Sequence, residues 1–329
     1  MKALITGGAG FIGYHLAHKL LQEGAEVILV DNFARGVEDK YLKELEFKKG
    51  VRFLNVDCLD RERVLALGDD YDYIYHLAAI IGVVHVLKHP YDVLRKNIEL
   101  LLNMTDLARR QIHLRRFIFA STSEIYAGTL KFFNLEIPTP EASPLTVTEL
   151  DSPRTSYMLS KIYGEALLYQ DTIPFTIVRP HNFYGPRMGM SHVIPEQLKK
   201  VHFAENGSTI DVFSADHRRT FCFITDAVEM IYRLSIIDTA QGQSFNIGNE
   251  TPEVEIREVV NTIIDVVGHK VVLNELPPTP GSPVRRCPSM KKTFEYTGYR
   301  GQISLREGIQ KTYDWYRDYV FTAEGMSAK

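Results

Sequence analysis

The sequence predicts an α/β fold in which a doubly wound parallel sheet is joined to a smaller, interleaved α/β lobe. The first observation is an alternation of short apolar strands with helical segments through the first half of the chain. The second is that glycines or polar residues follow the ends of these strands, where ligands bind in such sheets. After residue 180 the alternation becomes less regular, and we expect the second lobe to begin there.

The first strand leads into a glycine-rich turn. The apolar run Ala3–Thr6 is long enough for a buried strand, and the turn after it opens a helical pattern. Glycines let the backbone approach a pyrophosphate, whose charge is stabilised at the N-terminus of the helix. The turn therefore predicts a dinucleotide site. Its expected cofactor-binding residues are Gly7, Gly10, Phe11, Ile12 and Gly13.

An acidic residue ends the second strand. Val27–Val30 is apolar, and Asp31 and Asn32 follow it. A carboxylate here accepts hydrogen bonds from ribose hydroxyls and repels a 2′-phosphate, so NAD is favoured over NADP as the cofactor. The order of strand, glycine turn, helix, strand and acid predicts a Rossmann-type sheet.

Further strands are predicted at Arg52–Val56, Tyr73–Leu77 and Arg116–Ala120. The carboxyl ends of parallel strands meet at one edge of a sheet, so we expect their end residues to line the same site. The cofactor-binding residues predicted at these ends are Asp57, Cys58, Leu77, Ala78, Ala79 and Ala120.

Composition narrows the class of protein. The chain has 329 residues, of which 45% are hydrophobic and 24% charged, with a net charge of −3. This balance gives no electrostatic reason to expect a nucleic acid or an anionic membrane as partner. The longest apolar runs fall short of a membrane span, and the first residues pass straight into glycines, unlike a signal peptide. Three isolated cysteines predict no metal site and a reducing cytoplasm.

Tyr157 and Lys161 are spaced so that a helix presents both on one face, one turn apart. An ammonium group beside a phenol favours the phenolate, so we expect Lys161 to lower the pKa of Tyr157 and make it a base. The spacing alone is common, and its meaning depends on the dinucleotide site before it.

Taken in order, these motifs resemble the extended short-chain dehydrogenase/reductase family of NAD-dependent nucleotide-sugar epimerases, dehydratases and decarboxylases. The resemblance runs nearly end to end. Its segments are the glycine turn at 7–13, Asp31, Asp57, 76–79, Asn97, 121–126, Tyr157 with Lys161, 179–186, 219–226, 245–248 and 285–289. It implies NAD as cofactor, with Asn97 also near it, and a homodimer formed through helices near 91–110 and 154–169.

The resemblance also implies roles. Tyr157 would take the proton of a sugar C4 hydroxyl, Thr122 would hydrogen-bond the same oxygen, and Lys161 would hold the nicotinamide ribose. Asp57 would contact the adenine. The residues expected to bind the substrate are Thr122, Asn182, Arg187, Arg219 and Arg286, with UDP as the default nucleotide; arginine suits multidentate contact with a diphosphate.

The reaction is less determined than the family. All members can first form a 4-keto sugar. Glu124 is a candidate base for the C5 proton, and Ser123 stands where glucose dehydratases typically have an aspartate. His192 is a candidate second acid or base; in the alternative it contacts the nucleotide or caps a helix. Epimerisation is the leading expectation, and UDP-glucuronate decarboxylation and 4,6-dehydration are alternatives. A non-catalytic NAD-binding regulatory protein is a remote alternative, because such relatives typically lose the Tyr or Lys.

The expected domains follow from the same motifs. Residues 1–180 form the NAD-binding domain, to which 220–248 returns, and 181–219 with 249–321 form the nucleotide-sugar lobe. The irregular segment 127–153 is expected to be a flap over the sugar, and 322–329 a frayed tail.

Overall fold

The strands of the main sheet form from apolar runs because helices cover both of its faces. The computed structural model describes residues 1–278 and 282–322, apart from the side chains of residues 83 and 84. The strands in these residues are β1 (Lys2–Thr6), β2 (Glu26–Asp31), β3 (Val51–Asn55), β4 (Tyr73–His76), β5 (Arg116–Ala120), β6 (Phe175–Pro180), β7 (Phe183–Tyr184), β8 (Thr209–Phe213), β9 (Arg218–Arg219), β10 (Cys222–Phe223), β11 (Gln243–Ile247), β12 (Val254–Glu255), β13 (Val272–Leu276) and β14 (Arg285–Arg286).

Seven of the described strands pair in parallel in one sheet, in the order β11-β6-β5-β4-β1-β2-β3. Strand β1 pairs with β2 on one side and with β4 on the other. The chain changes direction across the sheet at this point, and a crevice opens there outside the carboxyl ends of the strands. The predicted doubly wound sheet is confirmed, and the crevice is where the glycine turn was expected to bind its ligand.

The helices expected near 91–110 and 154–169 are present within one residue of those boundaries. In the described residues the helices are α1 (Phe11–Gln22), α2 (Lys40–Glu46), α3 (Arg61–Leu65), α4 (Val83–Lys88), α5 (Pro90–Arg109), α6 (Ala127–Phe132), α7 (Pro153–Tyr169), α8 (Val193–Phe203), α9 (Ile224–Ile236), α10 (Ile256–Val267), α11 (Lys291–Thr297) and α12 (Leu305–Tyr319). Short 3-10 helices span Ser123–Tyr126 and Asp238–Ala240.

The hydrophobic core lies in two layers, one on each face of the main sheet. Alternate residues of a strand point to opposite faces, so Ile5 packs in one layer and Leu4 in the other. The layer that contains Ile5 continues into the second lobe through Tyr184 and Ile263. The two lobes therefore share one core, as the prediction of an interleaved lobe requires.

Smaller sheets build the second lobe. Strands β8 and β13 pair in parallel, and β9 pairs with β12 and β14. After α9 the chain returns to the main sheet, where β11 pairs in parallel with β6. The predicted tail at 322–329 lies outside the described residues from 323 onwards.

The segment 127–153 differs from the expected flap. It contains α6, and its middle is bound to the chain that follows β14. The backbone N–H of Thr139 donates to Cys287 O at 2.8 Å, and Ser289 N–H donates to Thr139 O at 2.9 Å. These bonds hold the segment against the body of the protein, next to Arg286.

Membrane-spanning helices and clusters of metal-binding side chains are both absent from the described residues. None of their helices combines the length and the apolar character needed to cross a membrane. No three His, Cys, Asp or Glu side chains in the same ranges lie together so as to hold a metal ion.

Candidate active site

The glycine turn is shaped by close backbone contacts. Gly7 has φ +72°, a conformation that favours glycine. A Cβ added at Gly13 would lie 2.3 Å from Gly7 O, so any other residue there would push the turn apart. Helix α1 begins at Phe11 and directs its first backbone N–H groups out of this turn. The result is a positively polarised backbone surface that lines a cavity and is suited to a phosphate.

Asp31 ends strand β2 beside this turn. Its carboxylate accepts hydrogen bonds from Ala9 N–H at 3.1 Å and from Phe33 N–H at 2.9 Å. Burial raises the pKa of Asp31, and these N–H donors oppose the rise. A carboxylate held in place with acceptor capacity left over suits a ribose diol.

A cavity of about 850 Å³ opens at the carboxyl ends of the strands. Its lining is shared between the glycine turn, Asp31 and the loops after β3 and β4. The predicted cofactor residues that line it are Gly7, Gly10, Phe11, Ile12, Gly13, Asp31, Asn32, Asp57, Cys58, Leu77, Ala78 and Ala79. The donor surface, the carboxylate and the volume together fit NAD.

Four other residues predicted to bind the cofactor, Asn97, Ala120, Tyr157 and Lys161, do not line the cavity. The side-chain amide of Asn97 on α5 bonds the backbone of Ile80 twice. Its Oδ1 accepts from Ile80 N–H at 2.7 Å, and its Nδ2 donates to Ile80 O at 3.0 Å. The same Nδ2 lies 3.4 Å from Ser160 Oγ. Asn97 therefore holds the loop after β4 instead of facing the cavity. Ala120 offers its carbonyl oxygen to Lys161 Nζ at 2.7 Å.

Tyr157 and Lys161 lie on α7, which begins at Pro153. Lys161 is 4% exposed, and its Nζ lies 5.8 Å from the centre of the Tyr157 ring. The ammonium group thus points to the end of β5, where it donates a hydrogen bond to the carbonyl oxygen of Ala120. The helix presents both residues to the same strand end, as their spacing predicted.

The expected lowering of the Tyr157 pKa by Lys161 is not found in the structure. Burial and the Glu124 carboxylate raise the pKa of Tyr157, although Thr122 and Arg35 oppose the rise. Burial also lowers the pKa of Lys161 to about 7, against the charge of Glu165. The prediction was wrong because it ignored burial, which disfavours the charged form of both groups.

Thr122 joins this group from the end of β5. It is 9% exposed and precedes the 3-10 helix, and its Oγ1 accepts a hydrogen bond from Glu124 N–H at 3.2 Å. Its hydroxyl also lowers the pKa of Tyr157, against the rise caused by burial. Thr122 and Tyr157 therefore lie near each other although they come from a strand end and a helix.

Arg286 reaches the same place from the second lobe. Its Nη2 donates to Glu124 Oε1 at 2.9 Å, and its Nη1 lies 3.5 Å from Ser123 Oγ. The charge of Arg286 lowers the pKa of Glu124, so Glu124 is a carboxylate at neutral pH. A positive charge thus stands beside the 3-10 helix that follows Thr122, with a carboxylate as its partner.

Arg219 and Asn182 lie further into the second lobe. Arg219 donates to Arg218 O at 2.7 Å and to Ser282 Oγ at 3.1 Å, and its pKa is lowered to about 10, chiefly by burial and then by Arg286. Asn182 has φ +44° and donates to Thr220 O at 2.9 Å. The two arginines that interact here, Arg219 and Arg286, form a basic surface for a diphosphate or a carboxylate.

Arg187 does not belong to that surface, contrary to our prediction. Its guanidinium pairs with Asp39 at 3.1 Å and stacks on Tyr14, with 4.2 Å from Cζ to the ring centre. It also lines the cavity beside Ala9. The turn after β7, in which Arg187 has φ +67°, directs the side chain towards the cofactor residues.

His192 also lies with the cofactor residues. It occupies the position before α8, but its side chain makes no capping hydrogen bond, so that part of the prediction was wrong. It lines the cavity, whereas Thr122 and Tyr157 do not. Burial and the charge of Arg35 lower its pKa, so the imidazole is neutral at neutral pH.

Some lining residues were not predicted. Arg35 donates to Ile81 O at 2.8 Å across the cavity mouth. Its place four residues after Asp31 could have indicated that it lies near the cofactor. Trp315 and Tyr319 of α12 wall the far end, where Lys40 Nζ lies 4.2 Å from the Tyr319 ring centre. Nothing in the sequence near the glycine turn indicates that α12 returns to it.

A family model matches the chain over residues 3–248, and its description is the NAD-dependent epimerase/dehydratase family. The matched range covers the whole main sheet.

Relatives match over nearly the full length. A UDP-N-acetyl-α-D-glucosaminuronate decarboxylase from Bacillus cytotoxicus is 31% identical, covering 96% of this chain and 98% of the relative. UDP-glucuronic acid decarboxylase 6 from Arabidopsis thaliana is also 31% identical, covering 94% of this chain and 87% of its own.

Solved structures are similar throughout. A UDP-glucuronic acid 4-epimerase from Bacillus cereus, in complex with UDP-glucuronic acid and NAD, has a TM-score of 0.82 at 26% identity and covers 97% of this chain and 99% of its own. A UDP-glucose 4-epimerase from Thermotoga maritima with UDP-glucose has a TM-score of 0.82 at 25% identity, with the same coverage.

Proposed function

Because the chain belongs to the NAD-dependent epimerase/dehydratase family, we propose that it is a decarboxylase of a UDP-linked uronic acid. The observation that carries the proposal is Arg286, which stands 2.9 Å from Glu124 beside Tyr157 and Thr122. A uronate differs from a neutral sugar by a carboxylate at C6, and an arginine is the side chain that binds a carboxylate through two hydrogen bonds. The full-length similarity to uronate decarboxylases supports the same substrate.

The cofactor residues of the chain suit NAD. The N–H groups at the start of α1 would hold the pyrophosphate, Asp31 the adenosine ribose and Asp57 the adenine end. Bound NAD would supply a hydride acceptor that later gives the hydride back, and in its oxidised form a positive charge that lowers the pKa of a nearby phenol.

The residues at the reactive end have separate tasks. Tyr157 takes the proton of the C4 hydroxyl, and Thr122, whose hydroxyl lowers the pKa of Tyr157, orients the C4 oxygen. Lys161 keeps its position at Ala120 O, one helical turn from Tyr157. As a buried phenol with a raised pKa, Tyr157 also holds the proton that it returns to C4 at the end.

Decarboxylation follows from oxidation at C4. The C4 ketone makes the C6 carboxylate a β-keto acid. The C5–C6 bond breaks, carbon dioxide leaves, and the electron pair of that bond forms an enolate between C5 and the C4 oxygen. A proton is then added at C5, and reduction at C4 yields a UDP-pentose. Arg286 orients the carboxylate beforehand, while Glu124, held ionised by Arg286, keeps that arginine in place.

The test is a product analysis with three substrates, UDP-glucuronate, UDP-N-acetylglucosaminuronate and UDP-glucose. We expect one of the two uronates to lose carbon dioxide and give a UDP-pentose, and UDP-glucose to give no product that has lost carbon. A uronate product of unchanged mass would refute decarboxylation and favour the second candidate.

That second candidate is C4 epimerisation of a UDP-uronate, the leading expectation from the sequence. The similarity to the Bacillus cereus epimerase with bound UDP-glucuronic acid and NAD favours it. Proton transfer by Tyr157 and carboxylate binding by Arg286 would be the same. The enzyme would then keep the C5–C6 bond and return the hydride to the opposite face of C4.

We also propose that the protein is a homodimer formed through α5 and α7, and that it acts in the cytoplasm. These helices carry exposed apolar side chains, since Leu102 and Tyr163 are each 39% exposed. Burying such residues in an interface would be favourable. Light scattering on the wild type and on Leu102→Glu tests the dimer, and a monomeric wild type would contradict it.

A further inference from the structure

Glu165 and Arg179 form a buried ion pair next to Lys161 and the end of β5. Arg179 Nη2 lies 2.6 Å from Glu165 Oε2, and Arg179 Nε lies 3.0 Å from Glu165 Oε1. Both side chains are 4% exposed. A contact through two parallel hydrogen bonds fixes the angle between the two groups as well as their distance.

The pair connects three elements that carry residues of the site. Glu165 lies on α7, one turn beyond Lys161, and its Oε1 accepts a hydrogen bond from Ser121 Oγ at 2.5 Å. Ser121 immediately precedes Thr122. Arg179 lies in β6, and its Nη1 donates to the hydroxyl of Tyr126, at the end of the 3-10 helix that contains Glu124, at 2.7 Å.

The same network extends to the chain beside Arg286. The Tyr126 hydroxyl donates to Asn246 Oδ1 at 3.0 Å, and Asn246 Nδ2 donates to Thr139 O at 2.9 Å. Thr139 in turn is bonded to the backbone of Cys287, the residue after Arg286. One buried set of polar contacts therefore reaches every segment on which the reactive end depends.

We propose that Glu165 is a positioning residue that holds α7, and with it Tyr157 and Lys161, at a fixed height against the end of β5. The Glu165–Ser121 bond and the Lys161–Ala120 bond join the same two elements one helical turn apart. Two such bonds prevent the helix from sliding or rotating along the strand end, which one bond would allow.

A contribution to stability alone explains the pair less well. Taking two charges out of water costs free energy that their attraction only partly returns, so a buried ion pair adds little net stability over apolar packing. What the pair adds is orientation. The inference rests on the proposed function, because that proposal makes Tyr157, Lys161 and Thr122 the reacting group.

The test compares Glu165→Gln and Ser121→Ala with a matched control, Glu229→Gln. Glu229 pairs with Lys19 at 2.5 Å on α9, away from the site. NAD affinity is read from the fluorescence of Trp315, the single tryptophan, which lines the cavity. The unfolding temperature of each variant is also measured, together with kcat and KM for the nucleotide sugar that the wild type converts.

We expect Glu165→Gln to weaken NAD binding and lower kcat by about tenfold each, with KM for the sugar little changed, since small displacements of reacting groups are costly. Ser121→Ala should weaken NAD binding and lower kcat as well, but by less. If Glu165→Gln does not fold, Ser121→Ala tests the positioning role in its place. Glu229→Gln should alter only the unfolding temperature.

The inference is overturned if Glu165→Gln, or Ser121→Ala in its place, lowers the unfolding temperature but binds NAD and turns over like the wild type. The proposed function fails separately, if the wild type binds NAD but releases no carbon dioxide from a UDP-uronate. In that case the NAD affinities of the variants still decide the role of Glu165.

Discussion

The two ends of the candidate active site, the cofactor cavity and the group around Tyr157, are built from residues at very different distances along the chain. At the cofactor end, Ala9 and Asp31 bond to each other across 22 residues of sequence. At the reactive end, Arg286 bonds to Glu124 across 162 residues. The cofactor end is therefore determined by one β-α-β unit, whereas the reactive end exists only when both lobes are folded together. Substitutions at the two ends should accordingly separate cofactor binding from chemistry.

The largest effect is expected for Tyr157→Phe. Removing the phenolic hydroxyl removes the group that exchanges a proton with C4, so kcat should fall by roughly 10² to 10⁴. NAD affinity should stay near the wild-type value, because Tyr157 does not line the cofactor cavity. The control is Tyr163→Phe on the same helix, which should keep full activity. Equal loss of NAD affinity and kcat in Tyr157→Phe would contradict the separation of the two ends.

Arg286→Met tests the contribution of the second lobe. Loss of a charged hydrogen-bond donor to the uronate should lower kcat/KM by about ten- to a hundredfold. Arg285→Met is a matched control, because the neighbouring Arg285 pairs with Glu253 instead, at 2.7 Å. Steady-state kinetics with a UDP-uronate provide the measurement. If both variants lost the same activity, Arg286 would have no special place at the reactive end.

Gly13→Ala should affect the other end. The added Cβ would lie 2.3 Å from Gly7 O, and relieving such an overlap typically costs about 1–3 kcal/mol. We expect NAD binding to weaken by about tenfold or more as the turn opens. Gly24→Ala, at the end of the same helix with open space around it, should cost about 1 kcal/mol of stability but leave NAD affinity unchanged. Unaltered NAD titration of Gly13→Ala would show that the turn is not the phosphate site.

A separate effect, on stability alone, is a pH dependence from Lys161. Burial lowers its pKa to about 7 in the folded protein, below the ordinary lysine value. Between these two pKa values the unfolded chain binds one more proton, so stability should rise with pH from about 7 towards about 10. Below pH about 7 both states are protonated, and the cost of burying the ammonium is fully present. Urea unfolding of wild type and Lys161→Met should show this difference; parallel pH profiles would contradict it.

The same contrast explains what could be predicted from the sequence. Strand ends, the glycine turn and Asp31 are local patterns, and every residue predicted from them in the first 80 residues lines the cavity. Asn97 was predicted to lie near the cofactor from the family resemblance, but its amide holds the backbone of Ile80.

Tertiary contacts were harder to predict. Arg187 was assigned to the substrate with the other arginines, yet the positive φ of its turn directs it to Asp39. The raised pKa of Tyr157 depends on burial and on Glu124, which spacing on a helix does not report. The resemblance placed Arg286 among the substrate residues, but its contact with Glu124 was not predicted, because the two residues meet only through the interleaving of the lobes.

The central claim, that the reactive end removes the carboxylate of a UDP-uronate, is tested most directly by carbon dioxide release. Wild-type protein with NAD is incubated with UDP-glucuronate, and separately with UDP-N-acetylglucosaminuronate, each labelled at the C6 carboxyl. We predict that the label leaves as carbon dioxide from one of these substrates, in step with the formation of a UDP-pentose. Label that stays wholly in a nucleotide sugar while the C4 configuration changes would contradict the claim.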